Sequence, residues 1–182
     1  APPAPQVPAS LTPAGGFEQV TATPAGMLLT TKTDLWLLRS DQAIHLFTDT
    51  RGIFGVPAAT AEEVAVIGFW AVHRLSIADL SRSSGAPSAG VSDAGAVNVR
   101  QIAVIPLSAE FRTDVPLGVC FVGRSLLLIG RRTGVTILSP TDRIFPPAIP
   151  PPPLDQAHIE RGFPDGWTDF AVDADDLYLI TS

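Results

Sequence analysis

Residues 28–40 read LLTTKTDLWLLRS, and residues 170–182 read FAVDADDLYLITS. The two align without a gap, Asp34-Leu35-Trp36-Leu37 falling on Asp176-Leu177-Tyr178-Leu179. A third stretch, residues 119–131, reads VCFVGRSLLLIGR in the same frame. Each is an apolar run, a polar turn and a second apolar run, the pattern of a β-hairpin. Two copies continue into another strand-like run, IHLFT from Ile44 and VTILS from Val135. Both then close alike, TDTRGIF before Gly55 and PTDRIF before Pro146. The last copy reaches Ser182 where that further run should begin. The sequence therefore predicts a strand edge that something else covers.

Outward from these copies the chain reads as short strands. Residues 18–22, 27–31, 35–39 and 44–48 form one meander, punctuated by Pro24-Ala25-Gly26 and Ser40-Asp41-Gln42. Residues 117–122, 125–129 and 135–139 form a second, with Arg131-Arg132-Thr133-Gly134 as its hairpin loop. Residues 58–66 offer a helical turn, with Thr60 as N-cap and Glu62 and Glu63 behind it. The β-branched and aromatic run over 64–80 instead favours two strands broken near His73-Arg74. Residues 97–107 read as a strand, and 170–172 and 177–181 as the last two. A helical turn is expected within 155–162, and 81–96 (SRSSGAPSAGVSDAGA) is a flexible loop by composition.

The expected fold is all-β: antiparallel short-strand meanders with internal repeats. Units of this kind resemble β-propeller blades. The resemblance is to an architecture, since no WD or kelch signature is present, and a β-sandwich or barrel competes with it. A weaker match of Phe69-Trp70 onto Leu35-Trp36 makes the repeat intervals more even. The organisation read from the sequence is a Pro-rich arm over 1–16, a β domain over 17–145, a polyproline linker over 146–153 and a C-terminal segment over 154–182 on the same β domain.

Composition narrows the function. Of 182 residues only 16% are charged, below the roughly 25% of soluble domains. Mean hydropathy is +0.28, so apolar surface is expected to be shared with a partner. Eleven arginines against the single Lys32 also fit an alanine-rich, high-GC coding background. Net charge is −6, and only Arg131-Arg132 are adjacent basic residues. Nucleic-acid binding is not expected, since phosphate contact needs clustered Lys and Arg. The apolar run over 64–72 is far short of a membrane span. Cys120 is the lone cysteine, which leaves no internal disulfide and no multi-cysteine metal site. It is read as a buried, inert thiol.

No catalytic constellation stands out. His45, His73 and His158 are far apart, and His45 should point away from the face shared by Ile44 and Leu46. His158-Ile159-Glu160 has the HxE of zinc deaminases without the PCxxC partner. The acidic run Asp165, Asp169, Asp173, Asp175, Asp176 is the best candidate for a calcium site, with Asp173, Asp175 and Asp176 as the ligands. A solvated turn before the final strand explains it better, since no DxDxDG loop is present and the aligned positions of the first copy are Thr31, Thr33 and Asp34. Trp36 and Trp70 sit in apolar runs and are expected in the core, Trp167 near the surface.

The reading is a non-enzymatic structural module without cofactors, a β-rich subunit of a larger complex such as a virion or tail. Its partners are other protein subunits, including copies of itself. The partner-binding candidates are Pro2, Pro3, Pro5 and Pro8 of the arm, Pro150, Pro151, Pro152 and Pro153 of the strip, and Leu177 and Leu179 of the open edge. The alternative is a carbohydrate- or calcium-dependent β module.

Overall fold

The structure is a computed structural model that describes residues 16–39, 42–79, 97–138, 148–153, 165–173 and 175–181. The arm prolines Pro2, Pro3, Pro5 and Pro8, the 81–96 loop, the expected turn within 155–162 and His158 lie outside the described residues. The fold is nearly all β. β1 (Gln19–Thr23), β2 (Gly26–Thr30), β3 (Asp34–Arg39) and β4 (Gln42–Thr48) make one antiparallel meander. β5 (Phe54–Ala59), β6 (Glu63–Gly68), β7 (Ala71–Asp79) and β8 (Val97–Pro106) make a second. One helical turn, α1 (Ala109–Arg112), leads into a third meander of β9 (Pro116–Val122), β10 (Ser125–Gly130) and β11 (Gly134–Leu138). A hairpin of β12 (Asp169–Asp173) and β13 (Asp176–Ile180) ends the described chain.

Short polar side chains set the turns. Thr31 Oγ1 accepts the Asp34 N–H at 3.0 Å and closes the β2–β3 turn. Thr60 Oγ1 accepts the Glu63 N–H at 3.1 Å, so the cap read from the sequence serves a β-turn instead of a helix. Asp114 accepts the N–H groups of Arg132 and Thr133 at 2.9 and 2.8 Å and braces the β10–β11 turn.

The second and third meanders join into one seven-stranded sheet, curled like a half-barrel. The joint is a parallel pairing of β5 with β9, registered at Val56 and Gly118. Backbones meet there more closely than side chains would permit. A Cβ on Gly118 would lie 2.7 Å from the Val56 carbonyl oxygen, and one on Gly55 would lie 2.7 Å from the Leu117 carbonyl oxygen. Gly55 also has a φ of 62°, which glycine adopts without steric cost.

Each meander starts at a common axis and steps outward. The later halves of β1, β5, β9 and β12 line one cleft, so the four first strands run the same way. The four meanders are called blades for brevity, two of four strands, one of three and a two-stranded fourth among the described residues, although the second and third are hydrogen-bonded into one sheet where propeller blades are separate sheets. Beside β11 of the third blade, Ile149 forms an isolated bridge with Val135. Pro150 to Pro153 follow, and prolines cannot extend the ladder because they lack the N–H.

Hydrophobic cores lie between blades. Val64, Val66, Leu75 and Ile77 of the second blade pack on Leu28, Leu35, Leu37 and Leu46 of the first. From the opposite face Ala65, Ile67 and Val72 pack on Val119, Leu126, Leu128 and Leu138 of the third. Cys120, Ile129 and Val135 then carry Phe170, Leu177 and Leu179 of the fourth. Alternation along a strand is what lets one sheet serve two cores.

Several expectations change. The break in the 64–80 run falls at Phe69-Trp70, and His73-Arg74 lies inside β7. The match of Phe69-Trp70 onto Leu35-Trp36 therefore fails, since one pair is a turn and the other is strand. β5 and α1 are additional elements. The aligned hairpins are β2–β3, β9–β10 and β12–β13, which occupy different blade positions: β2 is a second strand, whereas β9 and β12 are first strands. The similarity records the hairpin pattern and not the place of the hairpin in its blade.

Gly118→Ala is expected to lower stability by more than about 2 kcal/mol, with Gly55→Ala similar, read as a fall in the urea midpoint. An unchanged midpoint would show that the β5–β9 joint yields without loss.

Candidate functional site

A cleft of about 580 Å³ opens where β1, β5, β9 and β12 meet. Thr21, Val56, Ala58, Cys120, Phe121 and Phe170 represent its lining, which is otherwise small and apolar. Among the described residues no carboxylate, histidine, lysine or arginine lines it. Cys120 is 4% exposed, and burial pushes its thiol up to about 11. It stays protonated at neutral pH and has none of the thiolate character a nucleophile needs. The cleft can hold apolar matter, but acid–base chemistry has no group there.

A second locus gathers Asp34, His45 and Thr48 where β3 begins and β4 ends. Asp34 Oδ1 accepts the Thr48 hydroxyl at 2.6 Å and lies 3.0 Å from His45 Nε2. Thr33 donates to Asp34 Oδ2 at 2.7 Å. The Thr48 bond, then the Thr33 bond and the His45 contact, hold the Asp34 carboxyl down at about 2. His45 stacks edge-on against Trp36 with centroids 4.6 Å apart, on the face away from Leu46 as expected. In a nucleophilic triad the carboxylate and the hydroxyl use opposite imidazole nitrogens. Here Thr48 is 2.9 Å from the same Nε2 that meets Asp34. The group is a brace between two strands, with no relay through the ring.

A third polar pair is buried. Arg74 Nε and Nη2 donate to the two carboxylate oxygens of Glu63, the second at 2.9 Å. The side chains are 10% and 19% exposed, and Arg74 Nη1 has no partner. This joins β6 to β7.

The acidic run is not gathered into a metal centre. Among the described residues no three His, Cys, Asp or Glu side chains are placed to hold an ion. Asp173 and Asp176 face each other across the β12–β13 turn, with Asp175 in the turn itself. Trp70 is 39% exposed at a turn and not in the core as expected. Trp36, also expected in the core, is half-buried, as is Trp167, whose Nε1 is buried and unpartnered. The backbone N–H of Trp167 donates to the Arg131 carbonyl at 2.8 Å.

The partner-binding candidates divide. Pro150 to Pro153 follow Ile149, whose bridge lies on β11 of the same chain. Leu177 and Leu179 pack inward on the third blade. The outward face of the fourth blade is carried by Tyr178 and Ile180, exposed by 54% and 46% and paired with Ala171 and Asp169, while Val172 pairs with Leu177 on the inner face. Sequence alternation alone places Tyr178 and Ile180 opposite the two leucines, but it does not say which face is covered. No helix among the described residues is long and apolar enough to cross a membrane.

Comparison with family models, with curated proteins and with solved structures finds no match.

The depressed Asp34 carboxyl contributes stability above its unfolded value of 3.8 and loses it as pH falls toward about 2. Asp34→Asn should therefore flatten the fall in urea midpoint across that window while lowering the midpoint at neutral pH. Glu63→Ala leaves the Arg74 guanidinium buried without a counter-charge and should cost about 3–5 kcal/mol. Adding Arg74→Met should recover much of that loss in the same measurement.

Proposed function

We propose that this chain is a non-catalytic assembly module that joins a larger β structure through its fourth blade. One observation carries the reading. The second strand of each of the first three blades is largely buried: β2 from Leu28 to Thr30, β6 from Val64 to Gly68, and β10 at Leu126 and from Leu128 to Gly130. In β13, which holds the same place, no residue is buried, and Asp176, Tyr178 and Ile180 are exposed. The strand has the alternation of an interior strand, with one face and one ladder edge uncovered.

Such an edge takes an added strand by β-augmentation, the backbone giving affinity and the side-chain alternation giving register. The partner is a protein with a free strand or apolar sheet face, and a second copy of this chain offers both. A net charge of −6 without a basic cluster argues against a nucleic-acid partner. The ligand-binding alternative has less support, because the cleft lacks polar donors beyond threonine hydroxyls and the thiol, and the tryptophans form no common shelf.

Light scattering after size exclusion tests this. The chain is expected to exceed its monomer mass of 19.1 kDa in a concentration-dependent way. Tyr178→Lys with Ile180→Lys should return it to the monomer with the thermal midpoint unchanged. A chain that is monomeric at every concentration, with or without these changes, would end the proposal.

A further inference from the structure

An aromatic shelf at the β6–β7 turn has no part in the assembly surface. Phe69 and Trp70 form the turn with ring centroids 4.5 Å apart, and Phe54 of β5 lies 6.4 Å from Phe69. Arg51 stacks over Phe69 at 5.0 Å and Arg112 over Trp70 at 5.3 Å. Phe54, Phe69, Trp70 and Arg112, with Phe111 and Asp114, line a groove of about 150 Å³, and Arg51 lies outside it over Phe69. Trp70 has a φ of 73° and is the one residue other than glycine with positive φ among the described residues. Glycine or asparagine serves such a turn without strain, so the indole is held at the surface at a cost to local stability. The guanidiniums are fixed as well: Arg51 Nε lies 3.3 Å from Asp49, and Arg112 Nε donates to the Leu107 carbonyl at 2.9 Å.

Ordered aromatic faces beside fixed donors suit a polyproline II segment. Proline rings stack on such faces and bring no N–H to desolvate. The carbonyls of that helix point outward without internal partners, where a guanidinium can donate to them. Asp49 and Asp114 beside the arginines offset their charge, which favours an uncharged ligand.

The chain carries that ligand. Residues 1–13 read APPAPQVPASLTP, with no charge, five prolines and P-x-x-P spacings at Pro2 to Pro5 and Pro5 to Pro8. We propose that this arm docks in polyproline II form on the Phe54, Phe69 and Trp70 shelf of its own chain. Direction and reach favour the same chain. β1 and β5 run the same way, so the arm enters at the end of the fold where β5 begins at Phe54 and β6 turns into β7 at Trp70. Thirteen residues in this conformation span about 40 Å, against roughly 10 Å between packed sheets. Tethering supplies an effective concentration in the millimolar range, about what a weak groove requires. The inference stands apart from the assembly reading, since it uses neither β13 nor the outer face of the fourth blade.

A nitroxide at Ser10→Cys in the full chain tests it, Cys120 being buried and protonated. The Trp70 indole resonance, assigned with Trp70→Phe, should lose most of its intensity, independent of dilution. Excess synthetic peptide of residues 1–13 should restore it. Trp70→Gly, which relieves the turn, should free the label in its electron-spin spectrum while the domain stays folded. An undiminished Trp70 signal, or a label equally mobile in both forms, would overturn the proposal. So would broadening seen only when labelled and unlabelled chains are mixed, which would assign the arm to a second copy.

Discussion

The contact on which the rest depends is the meeting of two backbones where side chains are missing. β5 and β9 pair in parallel at Val56 and Gly118, with Gly55 opposite Leu117. Parallel pairing demands a long crossover, and everything from β6 to α1 is that crossover. Because β5 and β9 both begin their meanders, holding them together fixes the axis from which the second and third blades extend. Two glycines thus act at the scale of the whole fold, which no local propensity would suggest.

Once the axis is set, packing proceeds by faces. The second and third blades are apolar on both sides, as β6 shows with Val64 and Val66 turned one way and Ala65 and Ile67 the other. Cores then form between neighbours instead of inside a single closed sandwich. A structure of that type behaves as a short array, each unit stabilised by the units it touches. Among the described residues the core contacts of the fourth blade are with the third, through Phe170, Leu177 and Leu179, which makes it the least supported unit of the described fold.

Much of this is legible in the sequence, for identifiable reasons. Strands of the first and third meanders are short apolar runs between Pro, Gly, Ser and Asp, and they fall within a residue or two of their predicted bounds. β5 is not legible, because FGVPAA contains two breakers. It survives as a strand since its register against β6 is irregular between Phe54 and Ala58, where Pro57 has no N–H to give. The turn at Phe69-Trp70 is also hidden, because a tryptophan with positive φ obeys no turn preference and the run around it is apolar on both sides. The hairpins of the three aligned copies are legible, but their place within a meander is not, because a hairpin pattern looks the same wherever it falls. The polar braces at Asp34 and Glu63 join residues distant in the chain, and only the register brings them together.

The position of the one thiol has a use of its own. Cys120 lies on the third blade, facing the fourth, and is covered in part by Phe170, Leu177 and Leu179. Its modification rate by a neutral alkylating reagent is therefore a clock for departure of the terminal hairpin, running while the other two cores remain intact. Anything that seats on the far side of that hairpin would slow the clock without touching the sulfur.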